Sequence, residues 1–125
     1  MPQANTLLDI TIAALEELKA KDIVILDVSS LSSEMDTLVI ASGSSNRQTK
    51  ALANNVVVKA KANGFKLRGL EGTEQGEWVL VDLGDIIAHI MTPATRDFYD
   101  LEGLWQAHSD SITTTITQKK SSTEK

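Results

Sequence analysis

With 125 residues, no cysteine, two histidines and a formal net charge of −5, the chain has room for one domain with a real core and not for two ordinary ones. Its composition excludes a disulfide framework, a thiolate metal site and a multi-histidine zinc cage, and its acidic balance argues against general nucleic-acid binding through phosphates. No apolar run approaches the roughly 18 residues of a membrane span, and no signal or Arg-rich presequence pattern opens the chain, which therefore reads as cytoplasmic, or as organellar after processing.

In chain order, residues 6 to 19 place Leu8, Ile12, Leu15 and Leu18 on one helical stripe, with Thr6 and Asp9 set out as a capping box. Asp22 to Val28 is a short, β-branched, almost wholly apolar run, as expected of a strand covered on both faces. A polar connection from Ser29 to Asp36 leads into a second apolar strand, Thr37 to Ala41, which ends in Ser42-Gly43-Ser44-Ser45. Asn46 to Asn63 predicts a second helix, capped by Ser45 or Asn46, lined by Leu52, Val56 and Ala60, and stopped by Asn63-Gly64. Its Val56-Val57-Val58 run is poor helix sequence. Phe65 to Leu70 reads as a third strand and Glu71 to Gly76 as a loop.

The stretch from Trp78 to Thr92 is the most informative. Gly84-Asp85 is a two-residue hairpin turn, so Leu83 pairs with Ile86 and the register of both strands follows. Val79, Val81, Leu83, Ile86, Ala88 and Ile90 then share one purely aliphatic face, which must pack on helices. The other face carries Trp78, Leu80, Asp82, Ile87, His89 and Met91, with Trp78 opposite Met91 and Asp82 diagonal to His89. Folding did not require this mixed chemistry, which makes the face the expected functional surface. Thr92-Pro93 starts a short helix with proline at its first position, continued by the apolar Leu101, Leu104 and Trp105. The whole predicts an α/β (α+β) domain over 1–107, with a mixed sheet of about five strands packed with helices. Residues 108–125, rich in Ser, Thr and Lys, are expected to form a disordered tail.

Charge is strongly segregated. Arg47 to Arg68 holds six basic residues and no acidic one, whereas Glu71 to Glu102 holds eight acids against Arg96 alone, a local net of −7. An acidic side of this kind suits a basic partner or a head-to-tail second copy, or merely solvates the surface. Candidate chemistry is sparse. Ser42 to Arg47 lies between a strand and a helix N-terminus, where an anion could sit, although an ordinary N-cap explains the loop as well. It is similar to the Gly-Ser turn of nucleotidyltransferases, but Asp82 and Asp85 do not share the strand face that paired metal-binding carboxylates require. Asp82 with His89 could form an acid–base pair, but no nucleophile or second base accompanies it, and a structural or interface histidine is the simpler reading. Trp78 and Met91 fit either interface anchors or core.

The run SGSSNRQ from Ser42, then Glu71-Gly72, Trp78, Asp82 to Asp85, His89, Pro93, Arg96, Tyr99, Leu101-Glu102 and Leu104-Trp105 form an ordered series. Over about Leu7 to Trp105 the chain thereby resembles the Iojap family, the ribosomal silencing factors (RsfS). The resemblance implies a non-catalytic regulator with a degenerate nucleotidyltransferase-like fold and no cofactor. Family members bind the large ribosomal subunit through ribosomal protein fourteen, where the small subunit would dock, and so repress translation in starvation or stationary phase; mitochondrial relatives act in large-subunit assembly. The hairpin face and the resemblance together give Trp78, Asp82, Gly84, Asp85, His89, Met91, Arg96 and Tyr99 as the partner-binding set. A homodimer is an alternative association of the free protein, and neither membrane nor DNA is an expected partner. The rival readings are a nucleotidyltransferase-like enzyme and an RNA-binding or large-subunit assembly factor. Gly103, which interrupts the last apolar segment, and everything after Ala107 depart from the family pattern.

Overall fold

A computed structural model describes residues 6–107 and 114–116. Local signals set the ends of the first two helices. The Asp9 N–H donates to Thr6 Oγ1 at 3.1 Å and opens α1 (Leu7–Glu17). The Gln48 N–H donates to Ser45 Oγ at 3.1 Å and opens α2 (Asn46–Ala62), which stops at Asn63-Gly64 with Gly64 at φ +88°. The valine run survives inside α2 because Val56 and Val57 are buried, and burial of roughly 1.5–3 kcal/mol per aliphatic side chain outweighs tenths of a kcal/mol of lost χ1 freedom. On α1 the buried residues are Ile10, Thr11, Ala14 and Leu15, and Leu18 is exposed just past the helix end, so the predicted stripe is rotated.

The strands are β1 (Lys21–Asp27), β2 (Thr37–Ser42), β3 (Gly69–Glu71), β4 (Trp78–Asp82), β5 (Ile86–Met91) and β6 (Thr114–Ile116). They form one mixed sheet in the order β3-β4-β5-β2-β1-β6, antiparallel throughout except for the parallel pair β2 and β5. The hairpin register follows the turn: Gly84 takes φ +93°, Leu83 N–H donates to Ile86 O at 2.9 Å, and Trp78 lies opposite Met91. The third strand is shorter and later than predicted. Phe65 N–H closes back on Ala60 O at 3.0 Å, and Phe65 and Leu67 pack into the core before β3 begins at Gly69.

Each sheet face has its own core. Val79, Val81, Leu83, Ile86, Ala88 and Ile90 bury against α1 and α2 as the hairpin pattern requires. On the opposite face Leu26, Leu38, Ile40 and Met91 form a second core, on which Leu101 packs from α4 (Leu101–Ala107). The expectation that this face stands open therefore holds only in part, at Trp78, Leu80 and Asp82 of β4 and Ile87 of β5, which are half-buried. Met91 is a correction: it has no exposed surface, because parallel pairing with Ser42 places it in the middle of the sheet.

A second correction concerns the C-terminal stretch. Thr114–Ile116, inside the expected tail, pairs antiparallel with Val24–Leu26 of β1; the rest of 108–125 lies outside the described residues. The free edge of β1 offers unpaired backbone groups, and a Thr/Ile run has the β-branched character to take them. A chain ended at Ala107 is expected to keep a single cooperative unfolding transition, since the core residues described on both faces lie between Leu7 and Leu101, while amide hydrogen exchange across Val24–Leu26 accelerates.

Candidate functional site

The geometry of the site starts at the adjacent C-terminal ends of β2 and β5, where Gly43 N–H donates to Met91 O at 3.0 Å. The chain leaves β2 toward α2 on the first face and leaves β5 toward α3 (Pro93–Tyr99) on the second. Pro93 occupies the first turn of α3, where its missing N–H costs nothing. Asp100 then breaks the helix with φ +47°, so the predicted apolar continuation is a separate helix, α4. Its carboxylate accepts the Gly103 N–H at 3.3 Å and lies where a Cβ on Gly103 would stand, which accounts for the glycine inside that segment.

Arg96 fastens this corner. Its guanidinium is buried, donating to Ser42 Oγ at 2.8 Å and, through Nη2, to Glu102 Oε2 at 2.8 Å, with Nε also on the Glu102 carboxylate. One side chain thus ties β2, α3 and α4 together. Arg96, expected among the partner-binding residues, instead turns its guanidinium to Ser42 and Glu102 inside the domain and shapes the surface from below.

With α3 held there, Tyr99 packs against Trp78 at 4.9 Å between ring centroids, and Phe98 meets Tyr99 edge-on, also at 4.9 Å. Phe98 is 80% exposed and Tyr99 55%. An aromatic row therefore runs from the half-buried Trp78 outward. Beneath it, Trp78 Nε1–H donates to His89 Nδ1 at 2.9 Å. That bond requires Nδ1 to be unprotonated, and burial pushes the His89 pKa down to about 4. Asp82 does not reach His89 in the way an acid–base pair would need; its carboxylate accepts the Gly84 N–H at 2.9 Å and stabilises the turn.

Of the predicted set, Trp78, His89 and Tyr99 come together. Asp82, Gly84 and Asp85 gather at the far end of the hairpin, about four residues or some 13–14 Å along the strand. Met91 and Arg96 lie beneath the surface. Phe98, the most exposed large apolar side chain among the described residues, was missed. Its signal is an aromatic beside Tyr99 on a short helix, out of step with any buried stripe. The Ser42–Asn46 loop serves as a cap tied to its neighbours: Ser44 N–H and Oγ–H both reach Gln48 Oε1, and Gln48 Nε2 donates to Leu18 O at 3.0 Å. Beside it, Ser45, Asn46, Thr92, Thr95, Phe98 and Tyr99 line an open groove of about 420 Å³.

Fold and surface together define a small mixed α/β domain that displays an aromatic row, with Asp97 and Asp100 beside it, at one end of its sheet and Asp82 and Asp85 at the other. The family described as ribosomal silencing factor during starvation matches residues 1–125. A ribosomal silencing factor of Chromobacterium violaceum is 53% identical over 103 residues, 82% of this chain and 84% of that protein. A crystal structure from the same organism superposes with a TM-score of 0.78 at 54% identity, covering 79% of this chain and 82% of that one. A mouse protein named mitochondrial assembly of ribosomal large subunit protein 1 is 31% identical over 107 residues, 82% of this chain and 46% of its own length. The chain belongs to the ribosomal silencing factor family. Among the described residues no helix is long and apolar enough to cross a membrane.

The depressed His89 pKa gives a testable pH dependence. The unfolded imidazole takes up a proton near pH 6.5, and the folded one only near pH 4. Stability is therefore full above pH 6.5 and falls as pH drops toward 4, by up to about 3 kcal/mol. Denaturant titrations at intervals across this window should show that loss in the native chain and a flatter profile in His89→Gln, and the His89 ring protons should titrate near pH 4 by NMR.

Proposed function

We propose that this chain binds the large ribosomal subunit through ribosomal protein fourteen, on the face where the small subunit docks. It thereby blocks subunit joining and represses translation in starvation or stationary phase. It acts in the cytoplasm and without catalysis. Family membership supports the reading, as does the name of the mouse relative, which ties that protein to large-subunit assembly. The observation that carries it is the aromatic row: a domain that leaves Phe98 80% exposed beside Tyr99 and Trp78 holds an anchor cluster ready for a partner. The exposed carboxylates of Asp85, Asp97 and Asp100 suit a basic ribosomal protein and would steer its approach. A non-catalytic role accords with the local chemistry, since Asp82 is spent on its turn and the His89 Nδ1 on Trp78.

Sedimentation with purified subunits tests this directly. The chain should travel with large subunits and not small ones, and should lower the yield of whole ribosomes; binding to neither would overturn the reading. Phe98→Ala is the sharpest variant, because a residue so exposed should change stability by less than about 0.5 kcal/mol while a truncated anchor should cost about 2 kcal/mol of binding, roughly thirtyfold in Kd. Trp78→Ala should weaken binding at least as much. Asp85→Lys should slow association, with a penalty that shrinks as salt rises. Full-strength binding by a folded Phe98→Ala chain would place the contact elsewhere.

A further inference from the structure

Between Asp36 and Glu71 the chain has no carboxylate and six cations. Successive helical residues turn by about 100°, so Arg47, Lys50, Asn54, Val58 and Lys61 fall on one narrow stripe of α2, about 21 Å long. All five are exposed. The neighbouring helix contributes Glu17 to this side, but that carboxylate is engaged by Lys59 at 3.5 Å and by the Asn55 amide at 2.9 Å. Among the described residues the ion pairs are Lys59–Glu17 and Arg96–Glu102, which leaves Arg47, Lys50 and Lys61 outside any pair. At the N-terminal end of α2 the arrangement works against the helix, whereas Lys59 and Lys61 in the last turn favour it. Arg47 and Lys50 stand in or next to its first turn, where the macrodipole disfavours cations, no acid occupies that turn, and no Glu is set four residues from a Lys anywhere along α2. Solvating a helix face does not call for such a pattern, whereas a line of phosphates does.

We infer that the α2 stripe lies along the phosphate backbone of ribosomal RNA beside the docking site of the aromatic row, an inference that rests on the large-subunit reading. Asn46, at the start of α2, lines one groove with Phe98 and Tyr99, so the cationic stripe begins next to that row and runs away from it over the other face of the domain. A domain seated by its aromatic end can then touch a basic protein with one side and RNA with the other. The net charge of −5 keeps the stripe from acting as a general nucleic-acid binder, so the contact adds to a docking that other residues specify.

The test compares the full chain with the triple variant Arg47→Gln, Lys50→Gln, Lys61→Gln, whose positions are exposed and whose loss does not threaten the fold. Affinity for purified large subunits is measured over a salt series. The variant should bind about tenfold or more weakly at low salt, and the slope of log K against log salt should flatten by roughly 2 to 3. Phe98→Ala should lose affinity with its slope unchanged, which separates the two contacts. A photoreactive residue in place of Asn54 should cross-link to RNA on the subunit. Unchanged affinity and slope in the triple variant would overturn the inference, as would cross-linking to protein alone, which would point to an acidic protein surface instead. If the native chain binds no subunit, the docking reading fails and the stripe inference falls with it, whereas subunit binding that the triple variant leaves unchanged overturns the stripe inference alone.

Discussion

The parallel pairing of β2 with β5 is the constraint on which the rest of the molecule depends. These two strands occupy the centre of the sheet, and Thr37 to Ser42 run in register beside Ile86 to Met91. Parallel neighbours cannot be joined by a tight turn, so the intervening chain must travel, and it does so as α2, β3 and β4. The connections leaving the two C-terminal ends depart to opposite faces, one into α2 and the other into α3. A crevice opens at such a divergence in α/β sheets. Here Phe98 and Tyr99 line one wall and the α2 cap the other.

Opposite-face connections also create a packing problem that Arg96 resolves. The long helices pack on one face, and among the described residues two helices of seven residues serve the other. Helices that short have little intrinsic stability and hold their place through tertiary contacts. A buried guanidinium with both a carboxylate and a hydroxyl partner is such a contact, and removing one partner of a buried pair typically costs roughly 3–5 kcal/mol. The same corner therefore completes the second core and presents the aromatic row. Stability and display cannot be separated there.

Trp78 shows the same coupling on a smaller scale. Its ring packs on the second core and on Tyr99, while its N–H is satisfied by a histidine that burial keeps neutral. An indole anchored by its polar edge is held in one orientation before any partner arrives, which reduces the entropy lost on binding.

Much of this was legible in the residues themselves. Gly84-Asp85 dictated the hairpin register, because a two-residue turn leaves only one way to align the strands. Thr6, Ser45 and Asn63-Gly64 marked helix ends, because capping is a bond between neighbours in sequence. Charge segregation was visible without any fold. What the tertiary structure decided was everything that depends on distant pairing: that Met91 sits mid-sheet beside Ser42, that Arg96 spends its charge on Glu102 and Ser42, that Thr114–Ile116 finds the free edge of β1, and that Phe98 is left outside. In each case the local pattern admits both outcomes, and which one holds is settled by a partner far away in the chain. Sequence by itself therefore determined the elements and their chemistry, and only the packing of the second face decided which of those side chains remain available to a partner.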